Sequence, residues 1–155
     1  MLTQLARLSI EADGRYAKTE ELQFLKSYFQ SWEQRVSAYE KIRAAEAQII
    51  NRVEAKMRTL DPNLFLSAAG DFTEPWRRDI AQVLRYAAAA LLFNEHDHLR
   101  EGLLLWHNTI AKSYQFDQTC KTTFEVMPEV IEQYLTPQEA LLLHPILELN
   151  LIILG

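Results

Sequence analysis

Two charged side chains near the start of residues 74–93, EPWRRDIAQVLRYAAAALLF, have the types and spacing of a binding site. Arg78 can hold a carboxylate through two parallel N–H donors, and Asp79 can accept hydrogen bonds from the N–H groups of a ligand. At about 100° per residue, Arg78, Gln82 and Arg85 share one stripe of a helix, and apolar residues take the opposite side. The pattern predicts either a solvated charged face or a polar wall toward an anionic, ring-bearing ligand or a protein partner.

Metal binding and catalysis have weaker support in the sequence. His96 and His98 are two residues apart, so they point about 200° apart in a helix and share one ion only in an irregular turn. His107 is a candidate haem ligand, although a lone histidine in an amphipathic helix is usually a packing or surface residue. The sequence has no nucleophile–base pair, glycine-rich phosphate loop or HExxH motif. We therefore expect no metal site and no enzymatic activity.

Composition limits the partners and the cellular location that we expect for the protein. The 155 residues carry a net charge of −5, which does not support a generally basic surface for nucleic acid. Cys120 is the only cysteine, so it makes no internal disulfide and no structural zinc site by itself. No signal peptide is evident, and the longest apolar run, residues 86–93, is far below the roughly 18 residues of a membrane span. We expect a cytoplasmic protein without membrane insertion.

Hydrophobic periodicity predicts an all-α chain of about seven or eight helices, since no strand alternation is found. Gly14 separates a short amphipathic segment from a second helix that Thr19 would cap. Residues 63–73 are predicted to form a loop between two long helices. The predicted helices after the second are residues 33–60, a helix that begins at Thr73, residues 98–114, residues 117–135 and a last helix that begins at the Thr136–Glu139 capping box.

Several motifs resemble the phycobilisome proteins, the globin-related light-harvesting phycobiliproteins. EADGRY at residues 11–16 resembles the family's Ala-Asp-x-x-x-Arg-Tyr/Phe pattern, and WRRDIAQVLRY at 76–86 lies where the family has Cys-x-Arg-Asp-x-x-x-Tyr-Leu-Arg. EELQFLKSYFQS at 20–31 and EQYLTPQEA at 132–140 are similar to family segments as well. The resemblance implies one globin-like domain over residues 1–155, with an N-terminal two-helix extension (1–31) before the globin-like core (32–155).

The chain departs from the family pattern at the residue that binds the pigment. Trp76 occupies the position where the family has the cysteine that binds bilin through a thioether, and tryptophan cannot form that bond. Arg78 and Asp79 remain, and in the family these residue types hold a bilin propionate and the pyrrole nitrogens. Cys120 is expected on another helix and does not correspond to the family cysteine. The resemblance thus implies a bilin-pocket equivalent at Trp76, Arg78 and Asp79 with no covalent bilin.

Within the family, the missing cysteine and the short 63–73 loop make the chain most similar to the bilin-biosynthesis-associated globins of cyanobacteria. A role in bilin or phycobilisome biogenesis, or in its regulation, would follow from that similarity. Two alternatives stay open. One is a tetrapyrrole-binding carrier or sensor that holds bilin non-covalently, or haem through His107. The other is a structural adaptor that docks on phycobilisome components.

The N-terminal extension also predicts self-association. It carries apolar stripes that include Leu5 and Phe29, and a hairpin of two short helices cannot cover both stripes by itself. Related phycobiliproteins pair through this region, with an acidic residue of one subunit facing an arginine of the other. Glu11 and Arg85 stand at those positions, so we expect a homodimer in which they approach each other. We also expect the protein to dock on phycobilisome or bilin-pathway proteins.

Overall fold

The structure is a computed structural model that describes residues 1–67, 70–114 and 116–155. It confirms the all-α prediction, because helices hold most of the chain and the described strands form one two-stranded hairpin. The helices are α1 (Leu2–Glu11), α2 (Gln23–Gln30), α3 (Trp32–Leu60), α4 (Thr73–Phe93), α5 (His96–Leu99), α6 (Leu105–Ser113), α7 (Asp117–Glu132) and α8 (Pro137–Leu154). The strands are β1 (Leu66–Ser67) and β2 (Gly70–Asp71), which pair antiparallel.

The long helix α3 is the centre of the fold and contacts α4, α7 and α8. Its apolar residues recur at helical spacing, and Asp61-Pro62 ends it as the sequence predicts. Helices α7 and α8 follow each other through a short turn and contact each other along their lengths. The core that these helices enclose includes Ile42, Ile49, Met57, Phe65, Leu84, Leu91, Leu104, Phe124, Met127, Ile131 and Leu143, all almost fully buried.

The C-terminal end of α4 is held by side chains from the N-terminal region. The last carbonyls of a helix have no partner within the helix. The Arg35 guanidinium donates to the Leu91 carbonyl (2.6 Å), and the Tyr28 hydroxyl donates to the Leu92 carbonyl (3.0 Å). The Glu95 carboxylate in turn accepts from the Thr3 amide and hydroxyl, both at 2.7 Å. Tyr28 of α2 and Arg35 of α3 therefore cap α4, and Thr3 of α1 binds the segment that follows it.

Three details of the chain differ from the predictions. Thr19 makes no side-chain capping bond, because its backbone is helical (φ −56°, ψ −40°) rather than extended as at a capping residue, and a 3₁₀ turn at Glu20–Leu22 precedes α2. The predicted helix 98–114 is split by a π-helical turn at Arg100–Leu104, which joins α5 to α6. The predicted loop 63–73 contains the β1–β2 hairpin, and residues 68 and 69 of it lie outside the described residues.

No helix in the three described ranges is both long enough and apolar enough to cross a membrane. The division at residues 31 and 32 stays a prediction, although α3 begins at Trp32.

The start of α8 shows the predicted capping box and a buried carboxylate. The Thr136 hydroxyl accepts from the Glu139 amide, and the Glu139 carboxylate accepts from the Thr136 amide (2.7 Å). The same carboxylate, almost fully buried, accepts from Ser37 (2.6 Å) and from the Lys41 ammonium (2.8 Å) on α3. Burial alone would raise the pKa of Glu139, but the hydrogen bonds from Lys41, Ser37 and Thr136 outweigh it and lower the pKa to about 2.

We expect Glu139→Gln to lower the free energy of unfolding by about 1–3 kcal/mol at neutral pH, because the charge that Lys41 and Ser37 bind is lost. The folded-state pKa lies below the ordinary value of 4.5, so this stabilisation is complete above pH 4.5 and disappears as the pH falls toward 2. Denaturant unfolding of both proteins across this pH range measures it. A difference that stays constant down to pH 2 would contradict the assignment.

Asn150 is a polar residue on the buried face of α8. Its side chain is 0% exposed, and neither its amide nitrogen nor its amide oxygen has a hydrogen-bond partner among the described residues. A buried polar group without a partner costs stability. We expect Asn150→Leu to raise the free energy of unfolding by about 1–3 kcal/mol. Gln82→Leu on the exposed face of α4 is the control and should change it by less than about 0.5 kcal/mol; a destabilised Asn150→Leu protein would refute the expectation.

Candidate functional site

Trp76 fills the space beneath the head of α4. Its side chain is only 8% exposed, and its indole N–H donates to the Thr123 hydroxyl on α7 (3.0 Å). The Phe65 ring meets the indole edge-on, with ring centroids 5.0 Å apart. A buried indole needs a partner for its N–H, and Thr123 supplies one. Trp76 is thus a packed core residue at the place where the resemblance puts a pigment.

Arg78 and Asp79 line an open groove of about 680 Å³ between α4, the β1–β2 hairpin and α6. The Arg78 side chain is largely exposed, and its Nε lies 3.3 Å from Oδ1 of Asp79. The outward placement of Arg78, Gln82 and Arg85 agrees with the predicted stripe. The groove is therefore lined by one accessible cation and one partly accessible carboxylate.

Stacked aromatic rings form one wall of the groove. Phe72 and Phe116 stack with centroids 4.2 Å apart, and Tyr114 stacks on Phe116 at 5.8 Å. All three side chains line the groove, together with Ile110 from α6. Flat aromatic surfaces bind planar rings by offset stacking. Sequence analysis missed these residues, because they lie in short irregular segments where no periodicity marks a face.

A second, smaller cavity of about 60 Å³ lies behind the groove and is lined by Trp76, Asp79, His107 and Cys120, among others. Burial lowers the pKa of His107, and the charge of Asp79 opposes this shift. Ligand sites usually measure roughly 300–1,000 Å³, so this cavity holds a few water molecules at most. His107 and Asp79 line this cavity together, and the role of His107 as a haem ligand stays a prediction.

Cys120 lies on α7, as predicted, and therefore not on the helix that carries Trp76. The fold nevertheless brings it to the wall of the same small cavity as Trp76 and Asp79, which the sequence did not indicate. Burial, with the charges of Asp117 and Asp79, raises the pKa of its thiol to about 11. Because the thiolate is the nucleophilic form, Cys120 is poorly reactive at neutral pH.

The head of α4 is fixed to α3 by a network of ion pairs. Glu54 on α3 accepts from Arg58 (2.8 Å) and also binds Arg77 on α4. Arg58 reaches across to the Thr73 hydroxyl (2.7 Å) at the start of α4, and its guanidinium lies over the Phe65 ring at 4.5 Å. These contacts set the position of Trp76, Arg78 and Asp79 relative to α3.

Glu11 and Arg85 have partners within the chain. The Arg85 guanidinium donates to both carboxylate oxygens of Glu46 on α3, at 2.6 and 2.7 Å, and Nε of Arg7 donates to Glu11 at 2.8 Å. Leu5 and Phe29 are exposed on α1 and α2. The approach of Glu11 to Arg85 in a dimer stays a prediction.

His98 and His144 lie in different parts of the fold and have different partners. The His98 ring stacks on Tyr86 with centroids 6.4 Å apart, and His144 on α8 lies 2.6 Å from the Glu132 carboxylate on α7. In residues 1–67, 70–114 and 116–155, no group of three or more His, Cys, Asp or Glu side chains is arranged to hold a metal ion.

The described residues form eight α-helices with a groove beside α4, which fits the all-α, globin-like fold. The sequence model of the phycobilisome protein family matches residues 8–152, so the chain belongs to this family.

Two curated relatives are distantly similar to the chain. The chain is 34% identical over 95 residues to the phycobiliprotein beta chain of Mastigocladus laminosus and 32% identical over 95 residues to allophycocyanin subunit beta-18 of Synechocystis sp.. Each alignment covers 59% of this chain and 56% of the relative, so the chain matches little more than half the length of these proteins.

We expect Trp76→Ala to lower the free energy of unfolding by about 3–5 kcal/mol, because it removes a buried indole and leaves a cavity under α4. Trp106→Ala is the matched control, since the Trp106 side chain is 58% exposed, and it should cost less than about 1 kcal/mol. Chemical denaturation of the three proteins measures both effects. Equal losses in the two variants would contradict the packing role of Trp76.

Proposed function

We propose that this chain is a non-enzymatic, phycobiliprotein-like globin without a covalently attached bilin, and that it serves bilin or phycobilisome biogenesis or its regulation in photosynthetic cells. The observation that carries the proposal is the burial of Trp76 at the head of α4. A thioether to bilin needs a thiol at this place, and the indole occupies the space instead. Cys120 offers no direct substitute, because it lies on α7 in the wall of a cavity of only about 60 Å³, and burial raises the pKa of its thiol.

The groove supports a second candidate function, non-covalent binding of an open-chain tetrapyrrole. Its volume of about 680 Å³ lies in the range of ligand sites. Arg78 would bind a propionate, Asp79 would accept from pyrrole N–H groups, and the Phe72, Tyr114 and Phe116 rings would stack on the pigment. The groove is open to solvent, so a bound pigment would exchange freely, as a carrier or sensor requires.

The proposed partners are a second copy of the chain and proteins of the phycobilisome or of the bilin pathway. Exposed apolar residues of the N-terminal helices, among them Leu5 and Phe29, support self-association. We place the protein in the cytoplasm, at the cytosolic face of the thylakoid, where phycobilisome components assemble.

The biogenesis role predicts a defect in cells that lack the protein. A deletion strain should have less bilin absorbance per chlorophyll, and the wild-type gene and Cys120→Ser should restore it equally, because no thiol chemistry is involved. Protein purified from cells that make bilins should give no zinc-enhanced fluorescence in a denaturing gel. A fluorescent band that disappears in Cys120→Ser, or a deletion strain with normal pigment, would refute the proposal.

Non-covalent binding is tested by titrating the purified protein with biliverdin and with haemin. Biliverdin should give a saturable change in its visible spectrum, and Arg78→Ala should weaken binding by about tenfold to a hundredfold, because a charge-assisted hydrogen bond is lost. Arg43→Ala is the control, since Arg43 contacts the Tyr39 ring and lies outside the groove. Haemin should show no axial histidine spectrum. A biliverdin spectrum that stays unchanged, or an Arg78→Ala protein that binds as well as wild type, would exclude this candidate.

A further inference from the structure

A cleft between α1 and the C-terminal half of α4 has the size and the lining of a small-molecule site. Its volume is about 570 Å³, within the roughly 300–1,000 Å³ that ligand sites measure. The partly exposed Leu2 and Phe93 line it together with the buried Ala90 and Leu99. The cleft shares no lining residue with the groove at Arg78. Its lining therefore suits a separate ligand that is mostly aliphatic.

One arginine lines the cleft at the end nearest the middle of α4. Nε and Nη2 of Arg85 donate to the two carboxylate oxygens of Glu46, at 2.7 and 2.6 Å, so Glu46 occupies one edge of the guanidinium. A guanidinium has five N–H donors, and Nη1 of Arg85 donates to no other described residue. Glu46 does not line the cleft, whereas Arg85 does. The remaining donors of Arg85 can therefore bind an acidic group of a ligand in the cleft.

The other polar groups of the cleft fix the direction in which such a ligand would lie. At the far end, the buried Glu95 carboxylate accepts from the Thr3 amide and hydroxyl, both at 2.7 Å. Between the two ends, the His98 ring stacks on Tyr86 and adds a flat side to the cleft. An acidic head would be repelled by Glu95 and attracted by Arg85. The head therefore belongs at Arg85, and the aliphatic part extends toward Glu95.

A row of three residues on α4 sets the length of the ligand. Arg85, Ala89 and Phe93 all line the cleft and are four residues apart, so they follow one another along one side of the helix. Eight residues of helix span about 12 Å, close to the length of an extended chain of about ten carbons. Ala89, in the middle of the row, leaves space that a larger side chain would fill.

We propose that the cleft between α1 and α4 binds an unbranched aliphatic carboxylate, a free fatty acid of about ten carbons. Its carboxylate accepts hydrogen bonds from the remaining donors of Arg85, and its chain lies along Ala89 and Phe93. Glu46 keeps its own edge of the guanidinium and so positions Arg85. Charge-assisted hydrogen bonds hold the head, and burial of methylene groups holds the chain. This site lies outside the groove of the proposed function, and its ligand contains no ring.

Isothermal titration calorimetry of the full chain with hexanoate, octanoate and decanoate tests the apolar part of the site. Each buried methylene should lower the Kd about fourfold, so octanoate should bind about fifteenfold more tightly than hexanoate, and decanoate more tightly still. Ala89→Phe places a ring in the middle of the cleft and should remove the advantage of decanoate over hexanoate. Ala47→Phe, at an exposed position on α3, is the matched control and should keep that advantage.

Three results would overturn this proposal. They are the absence of saturable decanoate binding, a Kd that does not change with chain length, and an Ala89→Phe protein that binds decanoate as well as the wild type. Circular dichroism verifies that each variant is folded. Biliverdin should not displace decanoate, because its proposed site is the groove at Arg78, so the decanoate result does not depend on whether the groove binds pigment.

The acidic head is tested by changing Arg85 and its partner. Arg85→Gln should raise the Kd for decanoate about tenfold to a hundredfold, because charge-assisted hydrogen bonds are lost. Arg7→Gln is the matched control, since Arg7 also pairs with one carboxylate but does not line the cleft, and it should change the Kd by less than about threefold. Glu46→Gln should leave the Kd unchanged or lower it, because a negative charge near the head is removed. Equal weakening by Arg85→Gln and Glu46→Gln would show that Arg85 acts only through its ion pair and would overturn the assignment of the head.

Discussion

Burial of the Trp76 indole is the constraint on which the geometry of the candidate site depends. A buried indole N–H must be bonded, and it is bonded to Thr123, which fixes the position of α7 against α4. The Thr123 hydroxyl also lies 2.7 Å from the Thr119 carbonyl one turn back, and the Thr119 hydroxyl donates to the Leu64 carbonyl (2.7 Å). One series of hydrogen bonds thus connects α4, α7 and the segment that leads into the hairpin.

The two ends of α4 lie at different surfaces of the protein. Different side chains hold each end in place. At the head, Glu54 and Arg58 tie the helix to α3 and leave Arg78 free to line the groove. At the C-terminal end, Arg35 of α3 and Tyr28 of α2 satisfy the last carbonyls, and the Tyr28 bond connects α2 to the helix.

Local patterns predicted the helices whose ends are set by nearby residues. The periodicity and Asp61-Pro62 gave Trp32–Leu60 to within one residue, and the capping box gave the start of α8. Thr19 failed as a cap because its backbone is helical rather than extended, which the residue type does not reveal. The outward face of Arg78 follows from helical geometry, whereas the place of Cys120 beside Trp76 depends on how two distant helices pack, so no local signal could have located it.

Side chains of the protein itself fill the space under α4, and this filling contributes to the stability of the fold. The indole of Trp76, the Phe65 ring and the Thr123 methyl and hydroxyl close the space under α4 with atoms of the chain itself, and only about 60 Å³ is left behind them. Interiors gain stability from close contact, so this part of the core is complete without a ligand. The groove outside can then be empty or occupied at little cost to folding. The proposed function, a protein of this family without a covalent bilin, requires a core that folds in this way.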